Sequence, residues 1–189
     1  MSEQLSDLPV CFSTVVDLLR WRALQQPDRL AYTFLLDGET AEANLTYGEL
    51  DRQARAIGAL LQRSGASGER ALLLYPPGLE FITAFFGCLY GGFVPVPAYP
   101  PSPAQLNRTL PRLRSIANDA RPLVALTTSP ILSMAKMILA QAQGSHAMRW
   151  MATDTVDGNL VEEWRDPALS SDASRFSSTP RALPQRRRA

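Results

Sequence analysis

The residue types that most often carry out catalysis are few in this sequence and are widely spaced. His146 is the only histidine, and the two cysteines, Cys11 and Cys88, have no partner pattern. A Ser-His-acid triad and a histidine-based metal site therefore have no support, and we interpret both cysteines as structural thiols. No Gly-x-Gly-x-x-Gly pattern follows a strand-like run, which leaves a dinucleotide site equally unsupported.

Acidic and aromatic residues in helical patterns are the next candidates for a site. Four acids could in principle serve in acid–base chemistry: Asp17, Glu49, Asp51 and Glu80. We interpret them as solvated groups on helix faces rather than as catalytic carboxylates. The aromatic residues of one apolar helix are interpreted as core packing against a sheet: Phe81, Phe85 and Phe86.

The stretch FVPVPAYPP, residues 93–101, is more informative. Pro95 and Pro97 lack amide hydrogens, so a strand here must lie at an edge of its sheet or be satisfied on one side only. Two interpretations stay open at this point: a packed edge of the sheet, and a rigid wall of a substrate cleft.

Helix signals precede several of these candidates and would position them. Ser13 or Thr14 is expected to begin the first helix as its N-cap. Thr46 and Glu49 form a capping box that begins a second helix. A later helix contains Pro111, which must fall in its first turn or kink it.

Apolar runs between the helices predict strands. The run Leu30–Leu36 ends at Asp37-Gly38, a hairpin signal with a return strand expected near Leu45. Three further runs are typical of buried parallel strands: Ala71–Tyr75, Pro122–Thr128 and Met148–Asp154. Their alternation with helices predicts an α/β fold with a mostly parallel sheet and flanking helices.

Composition and charge limit the possible classes of protein. A chain of 189 residues with 46% hydrophobic content fits one globular domain. No apolar run is long enough to span a bilayer, and no signal peptide is evident, so we expect a cytoplasmic protein. Residues 174–189 hold five of the 19 basic residues and none of the 18 acids. The rest of the chain is therefore mildly acidic, with no electrostatic footprint for nucleic acid.

Three segments, in this order, carry a family resemblance: LTYGELDRQARAIGALLQ, ALLLYPPGLEFITAFFGCLYGGFVPVPAYPPSP and LPRLRSIANDARPLVALTT. They resemble the beginning of an adenylate-forming enzyme, and the VPVPAYPP form is typical of the fatty acyl-AMP ligases. The resemblance covers residues 10–172. It implies that the chain is the first part of the large N-terminal, AMP-binding domain of such an enzyme.

The resemblance also implies a chemistry for the intact family. Its members use ATP and Mg²⁺ to convert a fatty acid to an acyl-adenylate and pass the acyl group to an acyl carrier protein in lipid or polyketide biosynthesis. Their phosphate loop, nucleotide contacts and C-terminal lysine lie downstream of the matched segment. We therefore assign no catalytic, cofactor-binding or metal-binding residue, and expect the chain alone to be inactive and to bind no cofactor well.

Residues 173–189 form an Arg-rich tail that we expect to be disordered and out of frame. Synonymous codons exist for this tail that encode LAFLQYTSGSTSTPKG when read with a shift of one nucleotide near Ala173. That alternative sequence resembles the family's phosphate loop with the strand before it. Two other hypotheses stay open: a non-catalytic α/β interaction module whose Arg186–Arg188 bind an acidic partner, and a complete small α/β binding protein of another kind.

We predict that the coding DNA downstream of Ala173 encodes this phosphate loop when it is read in a shifted frame. Sequencing the gene from Ala173 onward tests the prediction directly, because the synonymous bases then become known. Bases that do not give the loop in either shifted frame would exclude a frameshift and leave the Arg-rich tail as the true sequence.

Overall fold

The structure is a computed structural model that describes residues 12–100, 106–140 and 148–167. Cys11, His146 and the Arg-rich tail of residues 173–189 lie outside the described residues, so the expectations for them stay predictions. Among the described helices, none is both long enough and apolar enough to cross a membrane.

Helices and strands alternate along the described residues, as the sequence predicts. In chain order they are α1 Val15–Gln25, β1 Leu30–Leu35, β2 Glu42–Thr46, α2 Tyr47–Gln62, β3 Arg70–Leu74, α3 Leu79–Gly91, β4 Val94–Ala98, α4 Leu106–Ala120, β5 Val124–Thr127, α5 Ser129–Ala140 and β6 Arg149–Ala152. A 3-10 helix, Gly158–Glu163, follows β6.

Within the described ranges, the main sheet has four parallel strands in the order β4-β3-β5-β6. This arrangement confirms the predicted α/β class with flanking helices. It also confirms that the proline-containing strand β4 lies at an edge, because β4 pairs with β3 alone among the described strands.

The predicted hairpin is a separate two-stranded sheet of β1 and β2. Its connection is longer than the two-residue turn that Asp37-Gly38 suggests. One carboxylate oxygen of Asp37, Oδ1, accepts the amides of Glu39, Thr40 and Ala41 at 2.9 Å each. The Asp37 carboxylate therefore stabilises a wider loop, because it accepts amide hydrogens that backbone carbonyls would otherwise accept.

Both predicted helix starts are confirmed, and each is a reciprocal capping box. Thr14 Oγ1 accepts the Asp17 amide at 3.1 Å, while Asp17 Oδ2 accepts the Thr14 amide at 3.0 Å. Thr46 and Glu49 repeat the arrangement at the start of α2, and the Thr46 amide and hydroxyl lower the pKa of Glu49. Asp17 and Glu49 are thus helix caps rather than simply solvated groups.

Pro111 lies inside α4 and not in its first turn, so a kink is the alternative of the two expectations that stays a prediction. Proline has no amide hydrogen, so the carbonyl of Asn107 loses the partner that an ordinary residue would supply.

The main sheet is covered on both faces. On one face, β3 and β5 pack against α2 and α3 through the cluster Ile57, Leu61, Ala71, Leu73, Tyr75, Ala84, Cys88, Phe93, Val124 and Leu126. On the other face, the buried residues Leu72, Leu74 and Ala125 contact Leu113 and Ile116 of α4. Strands buried on both faces explain the continuous apolar runs of the sequence.

The segment after the 3-10 helix is held against α2 and α3 by Trp164. Its Nε1 donates to the carbonyl of Tyr90 at 2.8 Å, and the guanidinium carbons of Arg20 and Arg55 lie 5.2 and 4.9 Å from its ring centroid. The Tyr90 hydroxyl in turn donates to Asp51 at 2.7 Å, and Asp51 pairs with Arg55 at 2.8 Å. Asp51 is therefore part of a packed network and not the solvated group that we expected.

Glycines allow α2 and α3 to approach closely. A Cβ on Gly87 would lie 2.5 Å from Cγ2 of Ile57, which is closer than nonbonded carbon atoms can approach. A Cβ on Gly91 would meet the Cβ of Leu61 at 3.1 Å. The two glycines of α3 therefore set the distance between the helices.

We predict that Gly87→Ala lowers the free energy of unfolding by about 1 to 3 kcal/mol, because the added methyl must displace Ile57 in a packed core. Urea unfolding monitored by circular dichroism measures the change. Gly158→Ala is the matched control, since a Cβ there meets no atom within 4 Å and should change stability little. Equal effects of the two substitutions would contradict this role of Gly87.

Two buried tyrosines make the stability depend on alkaline pH. Burial raises the pKa of both Tyr75 and Tyr90 above the ordinary tyrosine value. The neutral hydroxyl is therefore favoured in the folded state, and the stability is fully present below the unfolded pKa of about 10. As the pH rises further, the unfolded chain loses these protons first and folding becomes less favourable.

We predict that the free energy of unfolding falls above about pH 10, by up to about 1.4 kcal/mol per pH unit for each buried tyrosine. Tyr75→Phe and Tyr90→Phe should each make the fall shallower, even if they lower stability at neutral pH. Tyr99→Phe is the control, because Tyr99 is 80% exposed. An unchanged slope in both buried variants would refute the assignment.

Candidate functional site

A groove with a volume of about 610 Å³ opens where β3 and β4 end. Its lining comes from the ends of both strands, the turn after β3, the start of α3 and one side of α4: Tyr75, Pro76, Pro77, Phe81, Pro97, Ala98, Tyr99, Thr109, Arg112, Leu113 and Ile116. The carboxyl ends of parallel strands are where open α/β sheets bind ligands. The groove is therefore the candidate site.

Two local features of the sequence bring lining residues to this end of the sheet. Tyr75 follows β3, and the turn Pro76-Pro77 leads into α3, which brings Phe81 to the same end of the sheet. β4 ends at Ala98, beside the exposed Tyr99. The strand β4 thus fits both interpretations that the sequence left open, as an edge strand whose end also lines the groove.

The α4 side of the groove follows helical spacing. Thr109, Arg112, Leu113 and Ile116 recur at intervals of three and four residues, so they share one side of the helix. Leu113 and Ile116 also pack on the sheet, which fixes the helix against it. Arg112 is exposed, and it is the charged member of the lining.

Burial favours the neutral forms of two titratable groups, the Tyr75 hydroxyl and the Cys88 thiol. The Tyr75 hydroxyl lies 2.7 Å from Oγ1 of Thr153, and burial keeps the pKa of Tyr75 raised. Cys88 is fully buried, and burial raises the pKa of its thiol. A protonated, inaccessible thiol is not a nucleophile, which agrees with the structural role predicted for Cys88.

The starts of α3 and α5 do not offer a site for the phosphates of ATP. A helix N-terminus can bind phosphate through its free amides, yet the two helices that start beside the ends of β3 and β5 carry carboxylates there. A Cβ on Gly78 would lie 2.7 Å from Oε2 of Glu80, so that carboxylate folds back over the start of α3. Asp154 accepts both the amide and the hydroxyl of Ser129 at 2.9 Å, at the start of α5.

Metal ligands are likewise not gathered in the described ranges. No group of three His, Cys, Asp or Glu side chains in residues 12–100, 106–140 and 148–167 is placed to hold a metal ion. The four acids singled out from the sequence are not brought together, since Asp17, Glu49 and Asp51 serve helix caps and an ion pair.

Sequence reasoning found part of the groove and missed the rest. It singled out the FVPVPAYPP stretch, and Phe81 only as core. It did not single out Arg112, Leu113 and Ile116 on α4. The helical spacing of these residues was a usable signal, but only the fold shows that this side of α4 faces the end of β4.

Comparisons with known proteins place the chain in a family. The family model described as AMP-binding enzyme matches residues 19–183. The medium-chain-fatty-acid–[acyl-carrier-protein] ligase JamA of Moorena producens is 43% identical over 180 residues, which is 91% of this chain and 30% of that protein. Disco-interacting protein 2 of Drosophila melanogaster is 39% identical over 165 residues, which is 86% of this chain and 9% of that protein.

Solved structures give the same result. The fatty acyl-adenylate ligase from L. pneumophila, in complex with acyl adenylate and pyrophosphate, is 33% identical with a TM-score of 0.68, over 82% of this chain and 26% of that one. The chain thus spans less than a third of the length of these relatives. It belongs to the AMP-binding enzyme family and is similar to the fatty acyl-AMP ligases.

Proposed function

We propose that this chain forms the N-terminal part of a cytoplasmic fatty acyl-AMP ligase. In the intact enzyme a fatty acid carboxylate attacks the α-phosphate of ATP, with Mg²⁺, and forms acyl-adenylate with release of pyrophosphate. The thiol of a carrier-protein phosphopantetheine then takes the acyl group and releases AMP, in lipid or polyketide biosynthesis. The observation that carries the proposal is the apolar groove at the carboxyl ends of β3 and β4, in a chain 43% identical to a fatty acid ligase.

The groove would serve this enzyme as part of the acyl site. Phe81, Leu113 and Ile116 offer hydrocarbon surface, and Pro97 of β4 stiffens one wall. The nucleotide would bind to sequence outside the described residues, because carboxylates occupy the starts of α3 and α5. In this proposal the fatty acid binds to this part of the chain, and ATP binds to the remainder of the enzyme.

The 189 residues alone are proposed to be inactive, for two reasons. They correspond to about a third or less of each relative, and carboxylates occupy the starts of α3 and α5, where a phosphate could otherwise bind. In this proposal the Arg-rich residues 173–189 stand where the out-of-frame phosphate loop belongs.

We predict that the 189-residue protein forms no acyl-adenylate from dodecanoate, ATP and Mg²⁺, measured as pyrophosphate release and as hydroxamate trapped with hydroxylamine. Joining residues 1–172 to LAFLQYTSGSTSTPKG and then to the remaining part of JamA should restore turnover. The matched control keeps residues 173–189 at the same junction and should stay inactive, because the phosphate loop is missing.

Two outcomes would contradict the proposal. One is turnover by the 189-residue protein alone. The other is failure of both joined proteins while intact JamA is active in the same assay. The second outcome would favour the alternative function, a non-catalytic interaction module, which the similarity to Disco-interacting protein 2 supports.

A further inference from the structure

The lining of the groove has an uneven distribution of charge. Its walls are mainly apolar and include Phe81, Pro97, Leu113 and Ile116. The Tyr75 hydroxyl is already hydrogen-bonded to Thr153. Among the lining residues that the structure describes, the one charge is the guanidinium of Arg112. A ligand that matches this surface needs a hydrocarbon part and a single anionic group.

The exposed position of Arg112 allows it to meet such a group at a smaller desolvation cost than a buried cation would have. Arg112 is exposed, and within the described residues no acid forms an ion pair with it. It lies on α4 directly before Leu113 and four residues before Ile116, so its side chain stands beside the apolar wall. Its planar fork of donors suits a carboxylate in two-point contact.

The size of the groove agrees with a small amphiphile. A volume of about 610 Å³ lies within the usual range for small-molecule sites, roughly 300 to 1,000 Å³. A hydrocarbon chain gains affinity with each methylene that it buries, whereas a single exposed ion pair adds little. The apolar wall therefore supplies affinity, and the cation supplies discrimination between an acid and its neutral analogues.

We propose that Arg112 is the residue by which this groove selects a fatty carboxylate over an uncharged lipid of the same length. The carboxylate contacts the Arg112 guanidinium, and the hydrocarbon chain lies along Leu113, Ile116 and Phe81. This inference deepens the proposed function and rests on it for the identity of the ligand. It needs neither ATP nor turnover, so binding alone can test it.

The experiment is calorimetric titration of the 189-residue protein with dodecanoate and with dodecanol, in the absence of ATP and below the micelle concentration. We expect dodecanoate to bind more tightly than dodecanol. Arg112→Gln should weaken dodecanoate about threefold to tenfold and leave dodecanol unchanged, because only the charged contact is lost. Arg112→Lys should retain most of the preference, since it keeps the charge.

Two controls separate this site from general effects of charge and of hydrocarbon. Arg114→Gln removes an exposed arginine of the same helix that does not line the groove, and it should leave both affinities unchanged. Octanoate should bind at least about tenfold more weakly than dodecanoate, because it buries fewer methylenes.

Three results would overturn the proposal: no binding of dodecanoate, equal losses in Arg112→Gln and Arg114→Gln, or an affinity that does not depend on chain length. Each is distinguishable from a failure of the proposed enzyme. Dodecanoate can bind here even if the joined proteins form no acyl-adenylate, and the joined proteins can be active while Arg112 proves irrelevant to selection.

Discussion

The close contact of α2 with α3 is the constraint on which the rest of the structure depends. Gly87 leaves no room for a side chain against Ile57, and Gly91 leaves little against Leu61. Helices that approach so closely form one continuous layer, and that layer covers one face of the main sheet through Ala84 and Cys88. If the two helices stood further apart, the buried face of β3 and β5 would lose its cover.

The contact between α2 and α3 also provides the surface on which the segment after β6 packs. Tyr90 lies at the end of α3, and its carbonyl and hydroxyl face two different partners, Trp164 and Asp51. Gly58 lets the Trp164 ring approach α2, since a Cβ there would meet the ring at 3.1 Å. Arg20 and Arg55 on the ring then connect α1 and α2 to the same point. Four parts of the chain are thereby joined through one indole.

Features encoded within a few residues could be predicted from the sequence. The helix start at Ser13 or Thr14, the capping box at Thr46, the parallel strands and the edge position of β4 are of this kind, because each depends on neighbouring residues or on a missing amide. Features that depend on contacts distant in the chain could not be predicted. Asp51 was expected in solvent because the sequence does not show that Tyr90 donates to it from α3.

In the candidate site, too, local features could be predicted from the sequence, whereas contacts between distant segments could not. The end of β4 was recognisable from its prolines, whereas the α4 side of the groove requires knowing which helix crosses the end of β4. The sequence left two positions open for Pro111, and the structure places it in the interior of α4. Helical spacing identifies which residues share a side, but the sheet order decides what that side faces.

The prolines of β4 have a consequence for how this sheet can be enlarged. The Val94 amide donates to Glu69 at 2.8 Å, so strand alternation turns Pro95 and Pro97 away from β3. The outer border of β4 then offers carbonyl acceptors but no donors at these two positions. β6 at the opposite border contains no proline. Addition of a further strand is therefore favoured beside β6 and opposed beside β4. The groove lies at the β4 side, where such addition is opposed.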